Sequence, residues 1–237
     1  MQLSIIIPIY NERATLEELI RRVQAAPLPG KPGELTRQLV LVDDASTDGS
    51  AAILRDLATR HPEWIVRFHE HNSGKGMAVR TALTAATGEI LLIQDADLEY
   101  DPADYPALLE PILQGHADVV FGSRFIGGGP HRVVYFWHSV GNRLLTLLSN
   151  MFTNINLSDM EVCYKVFRRE VVQGLKLREA RFGFEPELTV KIARAKHWRI
   201  YEVPISYYGR TYADGKKITW RDGLRALWCI VRYSVCN

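Results

Sequence analysis

The chain has 237 residues, 47% of them hydrophobic, with a formal net charge of +2 at pH 7. That length admits one large α/β domain or two small ones, with enough apolar content for a sizeable core. The near balance of charge excludes the broad basic field of a nucleic-acid binder; three cysteines without metal-ligand spacing (Cys163, Cys229 and Cys236) read as reduced thiols of a cytosolic protein, not a zinc or disulfide framework.

From the N-terminus, Leu3 to Ile9 is an apolar strand with no leader-like segment before it, ending at Tyr10-Asn11-Glu12. A helix is predicted from about Thr15 to Ala25, with Leu16, Leu19, Ile20 and Val23 on one face. A second strand, Gln38 to Val42, ends in Asp43-Asp44, and a helix follows from Ser50 to Arg60. A third strand near Ile65 to His69 leads to Gly74-Lys75-Gly76 and a helix to about Ala86. The fourth strand, Glu89 to Gln94, ends in Asp95-Ala96-Asp97 and is followed by a helix opened by Pro102. A fifth, Asp118 to Gly122, leads to Ser123-Arg124. Beyond the break at Gly127 to Pro130, helices are expected from Val134 to Phe152 and near Pro186 to Ala195, with a strand from Arg199 to Tyr207. Apolar strands alternating with amphipathic helices predict an α/β fold, a mostly parallel sheet covered on both faces. Ligands gather at the carboxyl ends of such strands, so every polar cluster named above belongs on one rim.

Asp95 and Asp97 carry the sharpest chemistry. In an extended segment they project together and repel, and a divalent cation with hard oxygen ligands, Mg²⁺ or Mn²⁺, relieves that repulsion. The plainer alternative, two aspartates starting a turn, loses ground to the company they keep upstream. Gly74-Lys75-Gly76 is not a nucleotide fingerprint of the common kinds: a Walker A loop needs glycine and Ser/Thr where His69 and Gly76 stand, and a dinucleotide loop needs glycine at Val79. Lys75 either approaches a diphosphate or caps its helix.

Pro8-Ile9-Tyr10-Asn11-Glu12, Val42-Asp43-Asp44, Gly74-Lys75-Gly76, Asp95-Ala96-Asp97, Gly122-Ser123-Arg124-Phe125 and the run Ser158 to Phe167 resemble, in order and spacing, the GT-A inverting glycosyltransferases. The branch resembled is that of dolichol-phosphate mannose synthase and related polyprenyl-phosphate sugar transferases. The resemblance implies a GT-A, Rossmann-like fold with a nucleotide-sugar site at Pro8, Tyr10, Glu12, Val42, Asp44, Lys75, Asp95, Ala96 and Asp97. It implies a metal held by Asp97 and Glu99, with Asp95 beside them. Arg124 matches an arginine facing the acceptor phosphate; His138, Asn142 and Arg143 stand where the family has an Arg and a Ser. Arg210 and Lys216 match a late basic pair closing over the donor diphosphate. Asp159 is a candidate base or orienter, or simply a turn former. The implied reaction is inverting transfer of a hexose from GDP-mannose, UDP-glucose or UDP-N-acetylglucosamine to a dolichyl or undecaprenyl phosphate. The alternatives are extension of a polysaccharide or protein glycan, and a non-catalytic nucleotide-sugar-binding subunit.

From Thr219 to Val235, Trp220, Leu224, Leu227, Trp228 and Val231 share one helical face, and six Lys/Arg stand against two Asp between Arg210 and Asn237. A basic amphipathic helix bearing Trp suits a bilayer interface, with the Val134 to Phe152 helix as its partner. The competing expectation is packing on the core or across a dimer. The organisation expected is therefore a GT-A domain over residues 1–218 and an interface helix over 219–237, peripheral on the cytoplasmic face of a membrane. A membrane-protein partner or a second copy would complete it, and no nucleic acid is involved.

Overall fold

A computed structural model describes residues 1–31, 33–127, 132–133, 135–210 and 220–235. Seven strands form one sheet: β1 (Gln2–Ile9), β2 (Thr36–Asp43), β3 (Ile65–Phe68), β4 (Ile90–Ile93), β5 (Val119–Ser123), β6 (Lys165–Arg168) and β7 (Ile200–Pro204). Their order is β3-β2-β1-β4-β6-β5-β7. β1 is buried from Leu3 to Ile9 without interruption, as a strand covered on both faces must be, and its isoleucines suit the pleat. Helices α1 (Leu16–Ala25), α2 (Ser50–Arg60), α3 (Lys75–Ala85), α4 (Tyr105–Leu113, after a 3₁₀ turn at Pro102–Asp104), α5 (Phe136–Thr153), α6 (Arg169–Val172), α7 (Phe184–Arg194) and α8 (Trp220–Val235) complete the described chain.

The chain runs outward from β1 to β2 and β3, then returns to the other side of β1 as β4, all in parallel. That reversal opens a crevice at the carboxyl ends of β1 and β4, the place where open α/β sheets bind ligands. Tyr10-Asn11-Glu12 and Asp95-Ala96-Asp97 flank it. Non-glycine residues with positive φ occur in the loops just after three of these strands, at Asn11 (52°), Ala45 (59°) and Leu98 (62°). Such backbone is costly for residues with a Cβ and collects at functional rims.

Three elements differ from the sequence expectation. β6 runs antiparallel between β4 and β5; it is only four residues long and opens on a buried lysine, Lys165, which interrupts the apolar run. The seventh strand stops at Pro204 rather than Tyr207, because Asp104 captures the Ser206 N–H at 2.7 Å and bends the chain away. α7 begins at Phe184, so Pro186 lies in its first turn, where a missing N–H costs nothing. Val134, the expected start of α5, lies outside the described residues.

α8 packs on α5 and α7. Ala226, Cys229, Ile230 and Tyr233 turn inward; Glu179 accepts from Arg225 at 2.8 and 2.9 Å and from the Tyr233 hydroxyl at 2.9 Å. Arg194 donates to the Tyr233 and Ser234 carbonyls at 2.8 Å, capping the helix end with a cation. Leu224, Leu227, Trp228 and Val231 remain exposed, as do Trp137, Leu144, Leu147 and Met151 of α5. No helix among the described residues is long and apolar enough to cross a membrane.

Candidate active site

β4 ends at Ile93, two residues before Asp95, so a turn rather than the pleat sets the two aspartates. Gln94 anchors that turn from below: its Oε1 accepts from the Tyr105 and Tyr164 hydroxyls at 2.9 and 2.6 Å. Leu98 at positive φ then folds the chain back, and the Glu99 N–H donates to Asp97 Oδ1 at 3.0 Å. Burial, then Asp95 and Glu99, push the Asp97 carboxyl up to about 7. A half-buried carboxylate crowded by two others is a place where a divalent cation fits. The expected trio nevertheless does not converge, for no group of three or more His, Cys, Asp or Glu able to hold a metal occurs among the described residues. Asp95 is drawn to Lys75 at 2.8 Å, and Glu99 accepts from the Tyr207 hydroxyl at 3.0 Å and the Arg210 N–H at 2.6 Å. Asp97 is thus the carboxylate whose surroundings ask for a cation, and the remaining ligands would come from a bound diphosphate.

On the β1 side, Glu12 accepts from Arg210 at 2.8 and 3.3 Å, and Arg210 also donates to the Asp97 carbonyl at 2.9 Å. Arg210 therefore ties the ends of β1 and β4 together. Its expected companion, Lys216, lies outside the described residues. Thr15 donates to the Ala96 carbonyl at 2.8 Å. Tyr10 sits half-buried at the rim, while Pro8 is buried. Val42 differs from expectation: on an interior strand covered on both faces, its side chain is wholly in the core and offers a ligand no surface. Asp44 is also more occupied than expected. It accepts from Ser73 N at 2.9 Å and Gly74 N at 2.7 Å, with His69 Nδ1 at 2.7 Å. It organises the Gly74-Lys75-Gly76 loop. Its neighbour Asp43, placed on the rim by the sequence but given no role there, keeps a buried Oδ1 that finds no partner among the described residues.

Lys75 neither caps its helix nor stands free. Its ammonium lies 2.8 Å from Asp95, 3.0 Å from Glu185 and 2.8 Å from the Cys163 sulfur. Burial alone would lower it, but Asp95, Cys163 and Glu185 outweigh that and hold it well above the usual lysine range. The flanking glycines answer to packing. A Cβ on Gly74 would stand 2.5 Å from the Ala180 carbonyl oxygen, and one on Gly76 2.5 Å from that of Glu179. The loop presses on the segment leading into α7, which brings Glu185 to Lys75.

On the far side of the carboxylates, Asp159 grips Arg124 bidentately at 2.6 and 2.7 Å and accepts from Asn142 at 2.9 Å. Burial would raise Asp159, but Arg124 and Asn142 prevail and hold it below the usual range. With both oxygens so engaged, Asp159 serves to orient Arg124, whose guanidinium also lies 5.2 Å from the Tyr207 ring centre. A cleft of about 480 Å³ opens there, lined by Arg124, Arg132 and Arg143 with Phe136, Val140 and Tyr207. Arg132 is a residue that the sequence alone did not single out; it follows a glycine-rich break with no motif to mark it. Asn142 sits behind the cleft on Asp159, and His138 packs 6.0 Å from the Tyr135 ring. The apolar wall of the cleft continues into the exposed face of α5.

The pattern of Glycosyl transferase family 2 matches residues 4–175. A dolichol-phosphate mannosyltransferase of Pyrococcus furiosus is 30% identical over 218 residues, covering 91% of this chain and 59% of that protein. An undecaprenyl-phosphate 4-deoxy-4-formamido-L-arabinose transferase of Pseudomonas aeruginosa is 32% identical over 216 residues, covering 90% and 59%. The chain thus spans about three-fifths of the length of these relatives. Among solved structures, glucosyl-3-phosphoglycerate synthase of Mycobacterium tuberculosis, in complex with Mn²⁺, uridine diphosphate and glucosyl-3-phosphoglycerate, superposes with a TM-score of 0.72 at 18% identity, over 100% of this chain and 81% of that one. That likeness shows the GT-A fold.

Proposed function

The chain belongs to glycosyl transferase family 2, and from that premise we propose that it transfers a hexose from a nucleotide-diphosphate sugar to a polyprenyl phosphate with inversion at the anomeric carbon. The observation that carries this reading is the three-arginine cleft, whose Tyr207 reaches Glu99 next to Asp97 on one side and whose Phe136 and Val140 belong to the exposed apolar face of α5 on the other. A phosphate on an apolar tail matches that sequence of surfaces. The named relatives, both acting on a polyprenyl phosphate, support the acceptor class.

The residues divide the work. A divalent cation, Mg²⁺ or Mn²⁺, bound at Asp97 with Glu99 nearby supplies charge neutralisation for the leaving diphosphate. Tyr10, Glu12 and the loop ordered by Asp44 form the nucleoside end. Arg210 pairs with Glu12 and is the cation that would turn onto the donor diphosphate. Arg124, Arg132 and Arg143 hold the acceptor phosphate, with Asp159 and Asn142 fixing the fork of Arg124 so that its donors stay aimed. A phosphate oxygen is ionised near neutral pH, so the attack on the anomeric carbon needs no protein base. Residues 1–218 form the catalytic domain in this reading. The outward faces of α5 and α8 rest in the bilayer interface, and the enzyme is peripheral on the cytoplasmic side.

The test incubates the protein with labelled GDP-mannose, UDP-glucose or UDP-N-acetylglucosamine, Mn²⁺ and a short polyprenyl phosphate. The expected product is a β-linked glycolipid extracted into organic solvent, made from one donor. Transfer only to a soluble glycan, or turnover of no donor, would overturn the reading.

A further inference from the structure

Behind Asp95 lies a group of side chains that the transfer chemistry does not use. Glu161 and Cys163 lie in the segment before β6, and Glu185, from the first turn of α7, stands 3.8 Å from the Cys163 sulfur and repels Glu161 by charge. Lys75 stands among them, within 3.0 Å of Asp95 and Glu185. The second lysine, Lys165, donates to the Met160 carbonyl at 3.3 Å and to the Val162 carbonyl, lies 5.1 Å from the Phe121 ring centre, and attracts Glu185 and Glu161 by its charge. The two lysines do not satisfy every carboxylate oxygen of the group. The shortfall is visible, because Glu161 Oε1 and Glu185 Oε2 are buried and find no hydrogen-bond partner among the described residues. Glu185 is only 4% exposed. Buried acceptors are almost always satisfied in a finished structure, so two on neighbouring carboxylates mark a place for something that donates. Glu161, Cys163, Lys75 and Asp95 keep partial exposure, which leaves the cluster open from the Asp95 side.

We propose that Glu185, on Lys75, and its neighbour Glu161 form the subsite that reads the donor sugar through its ring hydroxyls, and that it takes an unmodified hexose in preference to a deoxy or acetamido sugar. The inference rests on the glycosyl-transfer reading above and deepens it. A sugar bonded to a diphosphate at Asp97 lies next to Asp95, and its hydroxyls are O–H donors that the two unpaired carboxylate oxygens can accept. A deoxy position leaves one acceptor bare. An acetamido group brings a methyl and a further acceptor against carboxylates.

The test is calorimetric titration of the full chain in Mn²⁺ with GDP and GDP-mannose, and with UDP and UDP-glucose. For the nucleotide that binds, Glu161→Gln and Glu185→Gln are expected to weaken the sugar nucleotide about 10-fold or more while leaving the bare diphosphate within about twofold. On the unaltered protein, monodeoxy analogues of the same donor are expected to lose a similar factor at the positions that meet the two carboxylates, which keeps the test sound if a variant fails to fold. Deoxy donors binding as tightly as the parent at every ring position, or variants weakening diphosphate and sugar nucleotide equally, would overturn the subsite and leave the transferase reading standing. Binding of neither diphosphate, together with no lipid-linked product, would overturn both.

Discussion

Replacing Asp97 by asparagine is predicted to stabilise the metal-free protein while abolishing its activity. The carboxyl stands at about 7 against an ordinary 3.8, raised by burial and by Asp95 and Glu99. Displacing a titration midpoint by one pH unit corresponds to about 1.4 kcal/mol, so the charged form carries a penalty of at most about 4 kcal/mol. The figure is a ceiling because a partly accessible carboxylate keeps some hydration. The sign follows from proton linkage: the folded state holds this proton more tightly than the unfolded state, so stability falls as pH rises from about 4 to about 7 and then levels. Glu161, also raised to about 7, contributes with the same sign in both proteins and cancels in the comparison. Urea denaturation at pH 8 without metal should find Asp97→Asn more stable than the parent by about 2–4 kcal/mol, with the difference shrinking at pH 4. Mn²⁺ should raise the midpoint of the parent and not of the variant, and transfer should fall at least about 100-fold. A variant that is less stable at pH 8, still responds to Mn²⁺ or still turns over would refute the assignment of the cation to Asp97.

Asp159→Asn removes the charge facing buried Arg124; breaking such a pair costs about 3–5 kcal/mol, read as a lowered urea midpoint, and activity should fall with it even below the unfolding transition. Arg132→Ala, at the outer edge of the acceptor cleft, is expected to raise KM for polyprenyl phosphate about 10-fold with little change in KM for the donor, checked by steady-state kinetics varying each substrate. Trp137→Ser and Leu144→Ser together, on the exposed face of α5, should reduce cosedimentation with anionic liposomes severalfold while leaving the thermal midpoint within a few degrees. Unchanged sedimentation would favour a protein partner on that face.

The rim was legible because each apolar run ends where its polar cluster begins, so knowing that the strands are parallel places Tyr10, Asp44, Asp95 and Arg124 together. The sequence could not say which acid does what. Asp44 resembles a nucleoside ligand in the linear pattern, yet the fold brings the Ser73 and Gly74 N–H groups and His69 onto it. Asp95 and Asp97 look equivalent in the sequence, and only the position of Lys75 separates them into an ion-paired carboxylate and a metal candidate. β6 stayed hidden because its identity comes from pairing with β4 and β5, not from its four residues. Glu161 and Glu185 lie 24 positions apart in the chain, and no local pattern joins them; the packing of the Gly74 and Gly76 loop on the segment before α7 is what brings Glu185 to Lys75.

The most direct measurement is a crystal of the protein grown with Mn²⁺ and the nucleotide diphosphate that it binds, with the metal located by anomalous scattering. The account predicts one ion coordinated by Asp97 and by oxygens of the diphosphate, with Asp95 still on Lys75. An ordered diphosphate with no ion at Asp97, or an ion held elsewhere on the rim, would contradict it.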